Sequence, residues 1–121
     1  MQLLDRLRES VTRRESTEPA NSTSPAEAYD ILQNERRRRI VSFLATTDSS
    51  EVSVATLADH MADEYPGETR NKAYISSIQN HLPAMAKAGL IEYASDRKTI
   101  SPQPALIDVW SAHQQVQEEL R

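Results

Sequence analysis

The sequence has no cysteine, so a disulfide framework, a thiolate metal site and a cysteine nucleophile are excluded together. Glycine occurs only at Gly67 and Gly89, which leaves no loop able to wrap backbone amides around a phosphate. Lysine is nearly as scarce, with three beside eleven arginines. Phe43 and Trp110 are the sole residues of their kinds, so a core built from this chain is aliphatic. No stretch approaches the roughly 20 apolar residues that a membrane-spanning helix needs. Asp5 and Glu9 fall where a signal peptide would be apolar. These gaps predict a soluble, cytoplasmic protein that uses no cofactor. At 121 residues it is long enough for one modest domain with short extensions.

The formal charge of −4 runs against nucleic-acid binding, because domains that hold phosphate backbones are usually basic. An acidic chain that prefers arginine to lysine fits a high-salt cytoplasm, and a halophilic source is the expectation. Molar salt screens charge within about 3 Å, so net charge says less there about partners.

Along the chain, Leu3, Leu4, Leu7 and Val11 recur at helical spacing with Arg6, Arg8, Arg13 and Arg14 on other faces, which predicts an amphipathic helix over residues 1–15. Residues 16–24 are Ser, Thr, Pro, Asn and Glu with a single alanine, and read as a flexible linker. A domain is expected over 25–101. Ser24, Pro25 and Glu27 supply an N-cap, a first-turn proline and a capping-box acid for its first helix, which carries Tyr29, Ile31 and Leu32. Asn34 caps the next, where Ile40, Val41, Phe43 and Leu44 face inward. Val52 and Val54 flank Ser53 as a very short strand. Leu57, Ala58 and Met61 then mark a helix closed by Pro66 and Gly67.

A long helix follows, with Ile75, Ile78, Leu82 and Met85 expected on its buried side and Gly89 as its left-handed cap. Pro83 lacks an amide hydrogen, so this helix should loosen one turn earlier. Residues 90–94 and 99–101 alternate as strands around the turn Ser95-Asp96-Arg97-Lys98. Pro104 begins a last helix over the segment 102–121, lined on one side by Leu106, Val109, Trp110, His113, Val116 and Leu120. The fold class expected is mainly α with a small antiparallel β-wing.

Helix, short strand, helix, helix and hairpin in that order is the order of a winged helix-turn-helix. The run Ser77-Ile78-Gln79-Asn80-His81-Leu82-Pro83-Ala84-Met85-Ala86-Lys87-Ala88-Gly89-Leu90-Ile91 resembles the recognition-helix signature of small prokaryotic winged-helix repressors, the ArsR-like ones among them. Leu32-Gln33-Asn34-Glu35-Arg36-Arg37-Arg38-Arg39-Ile40-Val41 resembles their first-helix entry. More narrowly, Asn-Glu-Arg-Arg-Arg, His-Leu-Pro and Ala-Gly-Leu-Ile-Glu-Tyr followed by Asp-Arg resemble a haloarchaeal winged-helix domain family. The resemblance covers about two-thirds of the chain and implies a regulatory protein that binds double-stranded DNA.

The expected contacts follow from the same helical register. Burying Ile75, Ile78, Leu82 and Met85 turns Ser76, Gln79, Asn80 and Lys72 outward; Gln and Asn can pair bidentately with adenine, and Ser can serve bases or phosphates. Arg97 and Lys98 at the wing tip are expected on the backbone, with Arg38 and Arg39 as further phosphate contacts. Arg37 is expected to be structural and paired with Asp30 or Glu92. Six acids and no basic residue lie from Asp48 to Glu68, and they would have to face away from DNA. The solvated face is the bland alternative for all these charges.

His60, His81 and His113 lack metal spacing, no small-molecule site is evident, and no catalytic constellation points to an enzyme. Leu106, Val109, Trp110, Val116 and Leu120 form an apolar stripe expected to join two copies in a homodimer, because paired half-sites multiply affinity. The competing reading is a protein-interaction module that uses the scaffold without DNA. Its contact would be the acidic helix or the apolar C-terminal stripe.

Overall fold

The computed structural model describes residues 24–120. The helix expected over 1–15 and the linker before Ser24 lie outside the described residues. Helices α1 (Pro25–Gln33) and α2 (Glu35–Thr46) meet at Asn34, which ends one and caps the other. The Ser24 hydroxyl accepts from the Glu27 amide at 3.1 Å while the Glu27 carboxylate accepts from the Ser24 amide at 3.4 Å, so both sides of the capping box form. The Asn34 side chain accepts from the Arg37 amide at 3.0 Å. Strand β1 (Val52–Ser53) leads directly into α3 (Val54–Glu64), where Ser53 accepts from the Thr56 amide.

Helix α4 is not uniform. It runs through an α-helical segment Arg70–Ser76, a π-helical turn Ser77–His81 and a second α-helical segment Leu82–Lys87. The Leu82 amide reaches back to the Ser77 carbonyl across the wide turn. Pro83 has no amide to return to the preceding turn, and its ring crowds the carbonyl four residues back; widening the helix just before it relieves both problems. The loosening expected from Pro83 therefore takes the form of one inserted residue. That insertion changes which side chains point inward. Ala73, Ser77, His81, Leu82 and Met85 are buried, Ile78 is half-buried, and Ile75 is 41% exposed, which corrects the expectation that Ile75 belongs to the core.

Gly89 closes α4 at φ 83°, with its own amide bonded to the Ala86 carbonyl and the Leu90 amide to that of Met85. This double bond needs a left-handed residue, which costs any residue with a Cβ about 1–2 kcal/mol. Gly89→Ala is expected to lower stability by ~1 kcal/mol, measured as a reduced urea midpoint at unchanged slope. An unchanged midpoint would contradict the cap.

Strands β2 (Ile91–Ala94) and β3 (Thr99–Pro102) form the hairpin, and β1 adds to the other side of β3 in the antiparallel order β1-β3-β2. Registers Val52↔Ile100 and Tyr93↔Ile100 place Ile100 centrally, and it is fully buried. Helix α5 (Pro104–Glu119) returns across α2. The core sits where α2, α3, the second half of α4 and the sheet converge, on Ile40, Leu44, Leu57, Met61, Leu82 and Leu90. The architecture is a mainly helical domain with a small β-wing, in winged-helix order.

Candidate nucleic-acid interface

The outer face of α4 presents Asn71, Lys72, Ile75, Gln79 and Asn80. Residues four apart stack along a helix, so Asn71, Ile75 and Gln79 share one row and Lys72, Ser76 and Asn80 the next. Gln79 and Asn80 are open to solvent. Ser76 is half-buried and donates its hydroxyl to the Ala73 carbonyl at 3.4 Å, which turns it back on its own helix and corrects its placement among outward groups. Thr69 caps the helix by accepting from the Lys72 amide at 3.1 Å. Lys72 and Lys87 have no side-chain partner among the described residues.

Two long-range contacts from the arginine run hold this helix against α2. Arg36 meets Glu68 through two parallel bonds of 2.8 Å, from Nε to Oε2 and from Nη2 to Oε1, and the Glu68 side chain is only 4% exposed. Bidentate geometry makes this a strong ion pair, one that ties α2 to the loop that enters α4. Arg37 donates from Nε to Nδ1 of His81 at 3.0 Å, inside the π turn. The partner expected for Arg37 was a carboxylate; it is a neutral imidazole, and the carboxylate belongs to Arg36. Accepting at Nδ1 leaves the ring proton of His81 on Nε2. Burial, then the positive charge of Arg37 and of Arg36, lowers the His81 pKa to about 4, against a smaller raising effect of Glu68.

The other cations are less free than the sequence suggests. Arg38 is half-buried and donates to the Leu32 carbonyl at 2.7 Å. Arg39 bonds Glu35 at 2.6 Å and lies 3.9 Å over the Tyr65 ring, which meets His60 edge-on while His60 stacks on Phe43. Both were expected as exposed phosphate contacts, and both have internal partners instead. Arg70 bonds Asp59 at 2.6 Å on the surface. Of the acids between Asp48 and Glu68, Glu51, Asp59 and Glu68 are thus matched by Arg97, Arg70 and Arg36, so arginine pairing offsets part of the negative field.

At the wing tip, Lys98 adopts φ 55° and folds its ammonium onto the Ser95 carbonyl at 2.6 Å. A phosphate would have to displace that bond. Arg97 is the more available of the pair, 64% exposed and 3.9 Å from Glu51. On β2 the Tyr93 phenol is raised above its ordinary pKa by burial and by the nearby Tyr74 of α4.

The apolar stripe of α5 divides. Leu106 is fully buried in its own domain, and Val109 and Trp110 pack against the same core, Trp110 beside His113 at 5.3 Å between ring centres. Of these three, expected at a dimer contact, Leu106 is committed within the chain, while Val109 and Trp110 are half-buried against it. Val116 at 51% and Leu120 at 77% exposure remain outside. Val116 lines a groove of about 1010 Å³ between α1 and α5, walled also by Tyr29, Leu32 and Val109, with Arg38 and Asp108 among its polar residues. Sequence reasoning missed this groove, since it needs α1 and α5 side by side.

Among the described residues no group of His, Asp and Glu could hold a metal ion, and no helix is long and apolar enough to cross a membrane. Fold and surface together define a small, mainly helical domain with a β-wing, on which α4 exposes a polar face. Residues 29–101 match the family described as Domain of unknown function (DUF7344), and the chain belongs to that family. No curated protein and no solved structure matches the chain. The matched span runs from inside α1 to the end of β3 and leaves α5 outside.

Proposed function

We propose that the protein is a DNA-binding transcriptional regulator that lays α4 in the major groove and its wing on the backbone. The observation that carries this reading is the paired exposure of Gln79 and Asn80 on a helix held rigidly from behind by the Arg36 and Arg37 contacts. Both amides can offer a donor and an acceptor to the N6 and N7 edge of adenine. Lys72 and Arg97 are the phosphate contacts of this reading, with Lys98 after rearrangement.

Few free cations means few counterions released, so the salt dependence is shallow and discrimination rests on base contacts. The reading takes two copies of the chain on each site. It is supported by the exposed Val116 and Tyr29 that line the α1/α5 groove, which a second α5 would cover.

Fluorescence anisotropy on duplexes selected by the full chain, at several salt concentrations, tests it. Arg97→Ala should weaken all sequences alike and reduce the salt slope by about 1, while Asn80→Ala should cost about 1–3 kcal/mol of discrimination between selected and scrambled duplexes. Light scattering on the same samples should give the mass of a dimer. Failure to bind any duplex at any salt concentration would leave the scaffold to a protein-interaction role centred on the groove.

A further inference from the structure

Helix α4 buries two polar side chains and leaves one aliphatic side chain partly in solvent. Ala73, Ser77 and His81 lie inward, all less than 10% exposed, with Tyr74 and Ile78 half-buried beside them, while the aliphatic Ile75 is 41% exposed. An isoleucine left in water gives up burial energy that a polar residue at the same place would not need. It stands on the face that carries Asn71, Lys72, Gln79 and Asn80, in the same row as Gln79 and one turn before it.

We propose that Ile75 is a specificity-determining residue that packs on the 5-methyl group of thymine in the major groove. The inference rests on the DNA-binding reading and narrows it. The major-groove edge of an A·T pair offers two things that this row can use: the N6 and N7 pair of adenine, suited to the Gln79 amide, and the thymine methyl, which has no polar partner and calls for an aliphatic surface. One helical turn advances 5.4 Å and one base step about 3.4 Å, so Ile75 and Gln79 meet bases one or two steps apart. The site is therefore one in which thymine neighbours the adenine read by Gln79.

The contact also suits the electrostatics of the domain. All six arginines among the described residues have partners within the chain. Coulombic attraction to phosphate is correspondingly small, and high salt weakens it further. An apolar contact keeps its strength under those conditions.

The test uses the full-length chain and duplexes it recovers from a random pool, resynthesised with deoxyuridine in place of thymine at one position at a time. That exchange removes the methyl and leaves the pairing intact. Wild-type protein should lose about fourfold in affinity at one thymine of each half-site, the equivalent of one buried methyl-sized group. Ile75→Ala should bind the thymine and uracil duplexes alike, and Ile75→Val should keep part of the difference. Alanine is the better helix former and the position is open, so circular dichroism and melting should show both variants folded.

Wild-type protein indifferent to every single exchange, or Ile75→Ala as sensitive as wild type, overturns the assignment while leaving DNA binding in place. Recovery of no duplex at all overturns the DNA-binding reading and this inference with it.

Discussion

Leu82→Ala is expected to destabilise the domain by ~3 kcal/mol, within the 2–5 kcal/mol typical of a leucine removed from a packed interior. Leu82 is fully buried in the core cluster that also holds Ile40, Leu44, Leu57 and Met61, directly after the π turn and before Pro83. Truncation removes three carbons' worth of burial and leaves a void that a proline-stiffened helix start cannot easily close. For a domain whose total stability is of order 5–15 kcal/mol this is a large fraction. Chemical denaturation followed by circular dichroism measures it, and Ile75→Ala is the internal comparison, expected to cost ~1 kcal/mol or less because the residue is already 41% exposed. Equal losses at 75 and 82 would restore an unbroken helix and remove the π-shifted register. The functional consequence is direct, since Leu82 anchors the turn that aims Gln79 and Asn80 outward.

Acid should weaken the fold through His81. Its folded pKa is about 4 and its unfolded value 6.5, so between these two the unfolded chain binds more protons than the folded one. Stability is therefore complete above pH 6.5, falls as pH drops toward 4, and levels off below. The full interval corresponds to ~2–3 kcal/mol, since each unit is about 1.4 kcal/mol and water at the ring's rim softens the penalty. A protonated His81 would face Arg37 at 3.0 Å with no lone pair to offer and a second positive charge beside Arg36.

His81→Gln keeps an acceptor for Arg37 without a titrating group. Urea midpoints of wild type and His81→Gln, taken from pH 4 to 8, should diverge as pH falls through that window, the variant being the less sensitive. Superimposable profiles would show that His81 is solvated and uncoupled from the arginine pair.

What could be read along the chain was whatever a few neighbouring residues decide. Ser24 with Glu27, Asn34, Ser53 and Gly89 mark helix ends because each cap is a bond between residues at most five apart. The wing turn at 95–98 was equally local, and so was the loosening ahead of Pro83. Its direction was not. Whether a proline kinks a helix or inserts a residue depends on what the rest of the fold packs against it, and the insertion moved Ile75 from the expected core to the surface.

The arginine run shows the same division. Four successive arginines must fan around α2, which the sequence states plainly. Which one finds a carboxylate and which an imidazole depends on Glu68 and His81, 32 and 44 residues downstream, and no spacing rule spans that distance. Arg38, expected in solvent, was claimed by the Leu32 carbonyl of α1, and Arg39 by the Tyr65 ring that follows α3 and by Glu35 one turn back on its own helix. Leu106 and Trp110 likewise looked free for a partner until α5 lay down on α2.

By itself, then, the amino-acid order determined where the helices and wing begin and end, their succession, and the aliphatic nature of the core. Those follow from hydrogen bonds and burial patterns that close within a turn or two. Only the tertiary structure decided the phase of α4, the partners of the arginines and the division of α5 into a buried and an exposed half. Each is a competition between distant groups for the same contact, and it is resolved when the chain is folded.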